Sequence, residues 1–213
     1  MSGKERSFAA IFCLIMVQQV LEILFDSPVK VRLLKLFLRN PDKFFHEKEI
    51  AKRIQSDSRL VGRQIKGLFD IGFLKKRKVT KKKKDAKKGI YYSANSSFGF
   101  YNELRSLVLK SSPASKEKIL RNVLKLGRIK LLLLAGIFLN TNNSRVDLFV
   151  IGDEIKQAKA SPFLKNLESE VGKEISFAFM NTKEFYYRYH MFDRFVHDIL
   201  EKPHEKLIDK LKV

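Results

Sequence analysis

Three positively charged side chains recur at helical spacing in the first half of the chain. Arg59, Arg63 and Lys66 are separated by four and three positions, so at about 100° per residue they share one face of a helix. The opposite face is apolar and consists of Val61, Ile65 and Leu68. Arginine pairs with guanine edges or with phosphates in the major groove, whereas a solvated basic face is the ordinary alternative. We therefore expect a helix over residues 59–69 that presents these cations to a polyanion, with Ser58 and Gly62 beside them.

A second concentration of positive charge follows this helix. Between residues 75 and 88 the chain has ten Lys or Arg residues and one acid. The flanking residues predict two strands, 73–79 and 90–94, joined by a turn that closes with Gly89. Lysines on such a hairpin bind phosphates without reading sequence, and the alternatives are a nuclear-localisation-like or a merely solubilising lysine run. The cations are Lys75, Lys76, Arg77, Lys78, Lys81, Lys82, Lys83, Lys84, Lys87 and Lys88.

Two further helices are predicted to precede the basic helix. Ser27 and Pro28 are typical of a helix start, and Asn40-Pro41 ends that helix. A second helix is expected from His46 to Arg53. The residues predicted to face inward are Val31, Leu34, Phe37, Leu38, Ile50, Ala51 and Ile54. Three helices followed by a basic hairpin favour a nucleic-acid-binding domain over a lysine run without structure around it.

The residues from Asp26 to Leu74 resemble the small prokaryotic winged helix-turn-helix transcriptional regulators. Residues 27–34 and 67–74 carry most of this resemblance. The resemblance implies that the third helix is a recognition helix in the major groove of double-stranded DNA. It also implies that the hairpin is a wing lying along the DNA backbone.

The charge of the whole chain is compatible with such a partner. The net charge is +20 and the pI is about 10.0, while 45% of the residues are hydrophobic, which excludes a disordered chain. Residues 1–115 contain 25 Lys or Arg and 10 Asp or Glu, whereas residues 116–213 contain 18 and 13. We therefore expect a strongly basic domain over residues 26–110, a linker over 111–115 and a second domain over 116–213.

The N-terminal residues are apolar but do not predict a membrane protein. Residues 8–17 follow two basic residues, as in a signal peptide, yet no small-residue cleavage site follows them. A bilayer span needs about 20 apolar residues, so we expect no stable membrane insertion. We predict a buried or dimer-forming helix within residues 1–25, a homodimer and a cytoplasmic protein. Cys13 is the one cysteine, which excludes an internal disulfide and fits a reducing compartment.

Strand and helix patterns alternate in the second half of the chain. Strands are predicted over residues 131–136, 146–151 and 174–180, with a helix over 161–171. This order resembles the nucleotidyltransferase fold of polymerase-beta-like and antitoxin-type proteins. Active members of that fold have Gly-Ser after the first strand and Asp-x-Asp at the second, whose acids hold two metal ions.

The residues at those positions depart from the active pattern. Gly136 is followed by Ile137, and the Asp-x-Asp position reads Arg145-Val146-Asp147. We therefore expect a vestigial site at Gly136 and Asp147, with no catalytic residue, no metal and no cofactor. A strand-end residue that accepts hydrogen bonds from nearby backbone N–H groups is the favoured interpretation of Asp147. The four histidines are scattered without the spacing of a zinc site.

The C-terminal residues extend the resemblance. The segment from Thr182 to Arg188 is similar to regulators that fuse a winged helix to a degenerate nucleotidyltransferase-like domain. In that pattern Glu184 and Arg188 open the last helix, which continues through Phe192 to Leu200, and a strand follows over 206–208. An ion pair between Glu184 and Arg188 is the simplest expectation.

The predicted fold is α+β, with an N-terminal winged helix-turn-helix followed by a small α/β nucleotidyltransferase-like domain containing a mixed sheet. The leading hypothesis is a DNA-binding transcriptional regulator whose C-terminal domain is not an enzyme. One alternative is a nucleotidyltransferase acting on a protein or nucleic-acid substrate. Another is a protein that binds RNA or a membrane surface through its charge alone.

Overall fold

A computed structural model describes residues 20–79, 88–110, 114–141 and 143–213, and these residues form a mixed α+β structure with two sheets. The chain divides into two compact units. The first comprises Met1–Ser112 with Glu168–Lys173, and the second comprises Pro113–Leu167 with Glu174–Val213.

The first unit contains the predicted helices and hairpin together with two elements that were not predicted. Its elements are α1 (Pro28–Arg39), β1 (Phe45–His46), α2 (Glu47–Arg53), α3 (Ser58–Asp70), β2 (Leu74–Val79), β3 (Gly89–Ala94) and α4 (Tyr101–Lys110). Residues 20–24 are also helical. The three strands form an antiparallel sheet in the order β1-β3-β2. The unpredicted elements are β1 and α4.

Helix α1 is the centre of the first unit. The Ser27 hydroxyl accepts a hydrogen bond from the backbone N–H of Lys30 at 3.2 Å, and Pro28 occupies the first helical position. The predicted inward stripe is buried, but the helix is buried on more sides than the stripe predicts, because Leu33, Lys35 and Leu36 are buried too. A single amphipathic stripe was therefore too narrow a description of α1.

Polar side chains begin the two helices that follow. The imidazole of His46 accepts a hydrogen bond from the Lys48 N–H at 3.2 Å and caps α2. The Asp57 carboxylate accepts from the N–H groups of Arg59 and Leu60 at 2.9 and 3.2 Å, so α3 begins at Ser58, one residue earlier than predicted. The N–H groups in the first turn of a helix have no acceptor within the helix, and these side chains supply one.

The second unit consists of a mixed sheet with helices around it. Its elements are α5 (Lys116–Leu124), β4 (Arg128–Ala135), a 3₁₀ turn (Gly136–Leu139), β5 (Leu148–Asp153), α6 (Gln157–Val171), β6 (Phe177–Met180), α7 (Thr182–His190), α8 (Arg194–Glu201) and β7 (His204–Asp209). The residues of α6 from Glu168 onward are counted with the first unit. The strand order is β6-β5-β4-β7. Strands β5 and β6 are parallel, and the other neighbours are antiparallel. Its core includes Leu131, Phe149 and Phe185.

Several predicted bounds in this unit were wrong. The first strand begins at Arg128 and ends before Gly136, which starts the 3₁₀ turn, and β5 begins two residues later than predicted. The predicted last helix is two helices, because Phe192 has a φ of 53° and separates α7 from α8. The ion pair between Glu184 and Arg188 is confirmed at 2.8 Å, but it lies on α7 rather than on the last helix.

No helix within the described ranges combines the length and the apolar character that crossing a membrane requires.

Candidate nucleic-acid interface

Helix α3 separates into a buried apolar side and an exposed basic side. Arg59, Arg63 and Lys66 are exposed, as their spacing predicts. The opposite side is buried through Val61, Ile65 and Leu68. Among the residues that the structure describes, no carboxylate lies within salt-bridge distance of the three cations. Their charge is therefore available to a partner. We call this surface the basic face of α3.

Small residues lie close to the basic face. Ser58 is exposed as the first residue of α3, and Gly62 is partly exposed. Gly67 is exposed as well, although it was not among the predicted site residues. Gly67 lies four residues after Arg63 and is therefore its neighbour on the helix surface. This spacing could have identified Gly67, but a prediction based on charge alone does not consider glycines.

The cations of strand β2 divide between the two faces of the hairpin. Side chains alternate along a strand, and Leu74 is buried in the core of the first unit. Lys76 and Lys78 therefore share the face of Leu74, whereas Lys75 and Arg77 lie on the other face. All four side chains are exposed. The two pairs carry equal charge, so they form a matched comparison.

Lys76 brings the hairpin next to α3. Its ammonium lies 4.6 Å from the centre of the Phe69 ring, which belongs to the last turn of α3. A cation this close to a ring face is attracted by the ring quadrupole. The face of β2 that carries Lys76 and Lys78 therefore adjoins the helix, and cations of both elements are presented on neighbouring surfaces.

The end of the hairpin at Val79 and Gly89 packs against His46 at the start of α2. Lys78 is paired with Ile90, and His46 packs edge-to-face against Tyr91 with ring centres 5.1 Å apart. A Cβ at Gly89 would overlap the imidazole of His46, so this position needs glycine. Lys88 is exposed beside it. The remaining predicted cations, Lys81, Lys82, Lys83, Lys84 and Lys87, lie outside the described residues.

Other cations of the first unit are buried or have partners within it. Lys35 is 1% exposed, and burial lowers the pKa of its ammonium to about 8. Burial also lowers the pKa of Arg39 to about 10. Arg53 donates to Glu49 at 2.7 Å and lies over the Phe45 ring at 5.3 Å. Counting charges along the sequence does not separate these residues from the exposed ones.

Asp147 is held by the backbone of the second unit. One carboxylate oxygen, Oδ1, accepts from the Ile137 N–H at 2.7 Å, and Oδ2 accepts from the Ser176 N–H at 2.9 Å. Gly136 has a φ of 50°, and a Cβ there would overlap Oδ1. The interpretation of Asp147 as a cap for nearby N–H groups is confirmed. The two residues thus connect the ends of β4, β5 and β6.

Two other acids of the second unit also have protein partners. Arg145 forms an ion pair with Asp198, and this hydrogen bond lowers the pKa of the Asp198 carboxyl. Asp153 accepts from the Thr182 N–H at 3.1 Å and pairs with Lys130 at 3.1 Å, and both contacts lower its pKa. Within the described ranges, no group of three His, Cys, Asp or Glu residues has a geometry that holds a metal ion.

Comparisons of the chain with family models, with curated proteins and with solved structures found no match. The chemistry of the exposed surfaces is therefore the basis for inferring a function.

Proposed function

We propose that the first unit is a winged helix-turn-helix domain and that the protein is a transcriptional regulator that binds double-stranded DNA. The observation that carries this proposal is the basic face of α3 beside the Lys76 face of the hairpin. Arg59, Arg63 and Lys66 are exposed on one side of a helix whose other side is buried. Lys76 contacts Phe69 of the same helix, so charge is concentrated on two adjoining elements.

The two elements have different roles in this proposal. The major groove is about 12 Å wide and admits one α-helix, so α3 enters it with the basic face towards the base edges. Arg63 lies near the middle of that face and pairs with a guanine edge. The hairpin lies along the phosphate backbone, where its lysines fix the register without reading sequence. Exposed cations without acidic partners among the described residues support both roles.

For the second unit we propose a nucleotidyltransferase-like fold without that activity, which serves assembly or ligand sensing. Its mixed sheet, with one parallel and two antiparallel pairings, supports the fold. Asp147 supports the loss of activity, because both of its oxygens accept backbone hydrogen bonds and Arg145 stands at the other acidic position.

A homodimer completes the proposal. The side chains of Val20, Ile23 and Leu24 lie on helical residues 20–24 and are 49%, 77% and 59% exposed. Exposed apolar side chains grouped in this way are typical of an interface. A two-fold dimer would place two copies of α3 on successive turns of one duplex face, about 34 Å apart.

The test of this function is a selection combined with a competition. The full-length chain is incubated with random duplex DNA, and bound fragments are recovered and sequenced. We expect enrichment of a defined sequence, and we expect that duplex to resist competition by RNA and by vesicles of anionic lipid. If RNA or vesicles carrying an equal charge displaced the duplex, the surface would bind polyanions through charge alone, without preference for DNA.

A further inference from the structure

Helix α3 contains two glycines that the folded chain does not require. A Cβ added to Gly62 or to Gly67 would meet no atom within 4 Å, and neither residue has a positive φ. Glycine is the poorest helix former after proline, so both positions weaken α3. Several of the other described glycines are required by close contacts or by a positive φ. A Cβ at Gly127, for example, would lie 2.7 Å from the carbonyl oxygen of Glu154.

The two glycines lie on either side of the basic face. At 100° per residue, Gly62 and Gly67 lie about 70° to each side of the centre of the Arg59, Arg63 and Lys66 side chains. Gly67 is exposed and Gly62 is partly exposed, so both positions are at the surface of the protein. Two positions on the flanks of the charged face therefore have no side chain, and neither a close contact nor a positive φ accounts for these two glycines.

The width of the DNA major groove suggests why glycine is present at these two positions. A helix with its side chains is about 10–12 Å across, which fills the major groove of about 12 Å. Side chains at the flanks would therefore meet the sugar-phosphate walls before the basic face reached the base edges. Resting on the proposed function, we infer that Gly62 and Gly67 set the depth of α3 in the groove. Their missing side chains allow Arg63 to make base contacts, so the two glycines determine specificity.

The test uses Gly62→Ala and Gly67→Ala in the full-length chain, with Gly99→Ala as the matched control. Gly99 is exposed in a turn outside α3, and a Cβ there also meets nothing within 4 Å. Binding is measured against the duplex enriched in the selection and against random duplex. Each α3 variant is expected to weaken binding to the enriched duplex about tenfold or more, whereas Gly99→Ala leaves it unchanged.

Thermal unfolding shows whether a loss of binding in these variants comes from steric hindrance in the groove or from a destabilised fold. Because alanine favours a helix, each α3 variant is expected to have a Tm about 2–4 °C higher than that of the parent chain. Each variant is also expected to lose more affinity for the enriched duplex than for random duplex. A fall in Tm would show that the glycines serve the fold and would overturn the inference. Unchanged affinity in both variants would overturn the inference alone. Absence of any duplex binding by the parent chain would instead overturn the proposed function.

Discussion

The Lys76 ammonium lies 4.6 Å from the centre of the Phe69 ring and joins strand β2 to helix α3. This contact gives the hairpin two different faces, one beside the basic face of α3 and one turned away from it. In the proposed function, a duplex bound by α3 meets the first of these faces. The cations of β2 are therefore expected to contribute unequally to binding although they are adjacent in sequence.

The double variant Lys76→Ala/Lys78→Ala should weaken duplex binding more than Lys75→Ala/Arg77→Ala. Both changes remove two charges, but only the first removes them from the face that adjoins α3. The slope of log affinity against log salt should fall by about two in the first variant and by less than one in the second. Filter binding or fluorescence anisotropy at several salt concentrations measures both slopes. The reverse order would contradict the assignment of the faces.

Arg63→Ala should reduce sequence discrimination by about 1–3 kcal/mol, because Arg63 lies near the middle of the basic face. The quantity to measure is the affinity ratio between the enriched duplex and random duplex. Neutralising Lys82 and Lys83 of the hairpin should instead weaken both duplexes alike and leave the ratio unchanged. If the two changes affect the ratio equally, the helix and the hairpin do not have separate roles.

Lys35→Met should remove a pH-dependent part of the stability of the chain, because the pKa of the buried ammonium is about 8 instead of 10.5. Between these values the unfolded state binds more protons than the folded state. The free energy of unfolding of the parent chain should therefore rise from pH 8 towards pH 10.5. Below pH 8 both states are protonated, so the cost of burial is complete and constant.

Urea unfolding between pH 7 and pH 9.5 measures this effect, and the upper limit keeps Arg39, whose pKa is about 10, charged. Lys43→Met is the control because Lys43 is exposed. The rise with pH should be absent in Lys35→Met and present in the control. A rise of equal size in Lys35→Met would exclude Lys35 as its source.

Asp147→Ala should destabilise the second unit by about 2–5 kcal/mol, because the N–H groups of Ile137 and Ser176 lose their acceptors. Gly136→Ala should also destabilise it, since the added Cβ overlaps the Asp147 carboxylate. Neither change should alter duplex affinity at temperatures well below the Tm. The control is a thermal scan with Mg²⁺ or Mn²⁺. Stabilisation of the parent chain by either ion and not of Asp147→Ala would indicate a metal site.

Local sequence signals were sufficient for most elements of the first unit. Ser27, Pro28 and the polar residues before α3 act within one turn of chain, so spacing alone located these helices. Strand β1 was not predictable, since its two residues are a strand only because Tyr91 and Tyr92 of β3 pair with them. Helix α7 ends at His190, and Phe192 then separates it from α8 through a backbone conformation that an apolar helical pattern does not reveal.

The candidate interface was predictable in its charge but not in its geometry. The basic face of α3 follows from helical periodicity, and the structure exposes all three of its cations. The two faces of β2 and the burial of Lys35 depend on packing between distant residues. Sequence spacing carries no information about such packing.

The most direct test of the central claim is the salt dependence of duplex binding by the full-length chain. A surface that neutralises about six to ten phosphates releases as many counterions, so affinity should fall by about 10³–10⁵ between 50 and 200 mM salt. The measurement is an anisotropy titration of a labelled duplex at four salt concentrations within that range. Such a fall, with the enriched duplex bound more tightly than random duplex throughout, is the predicted result. An affinity that does not change across the range would contradict the assignment of α3 and the hairpin as a DNA-binding surface.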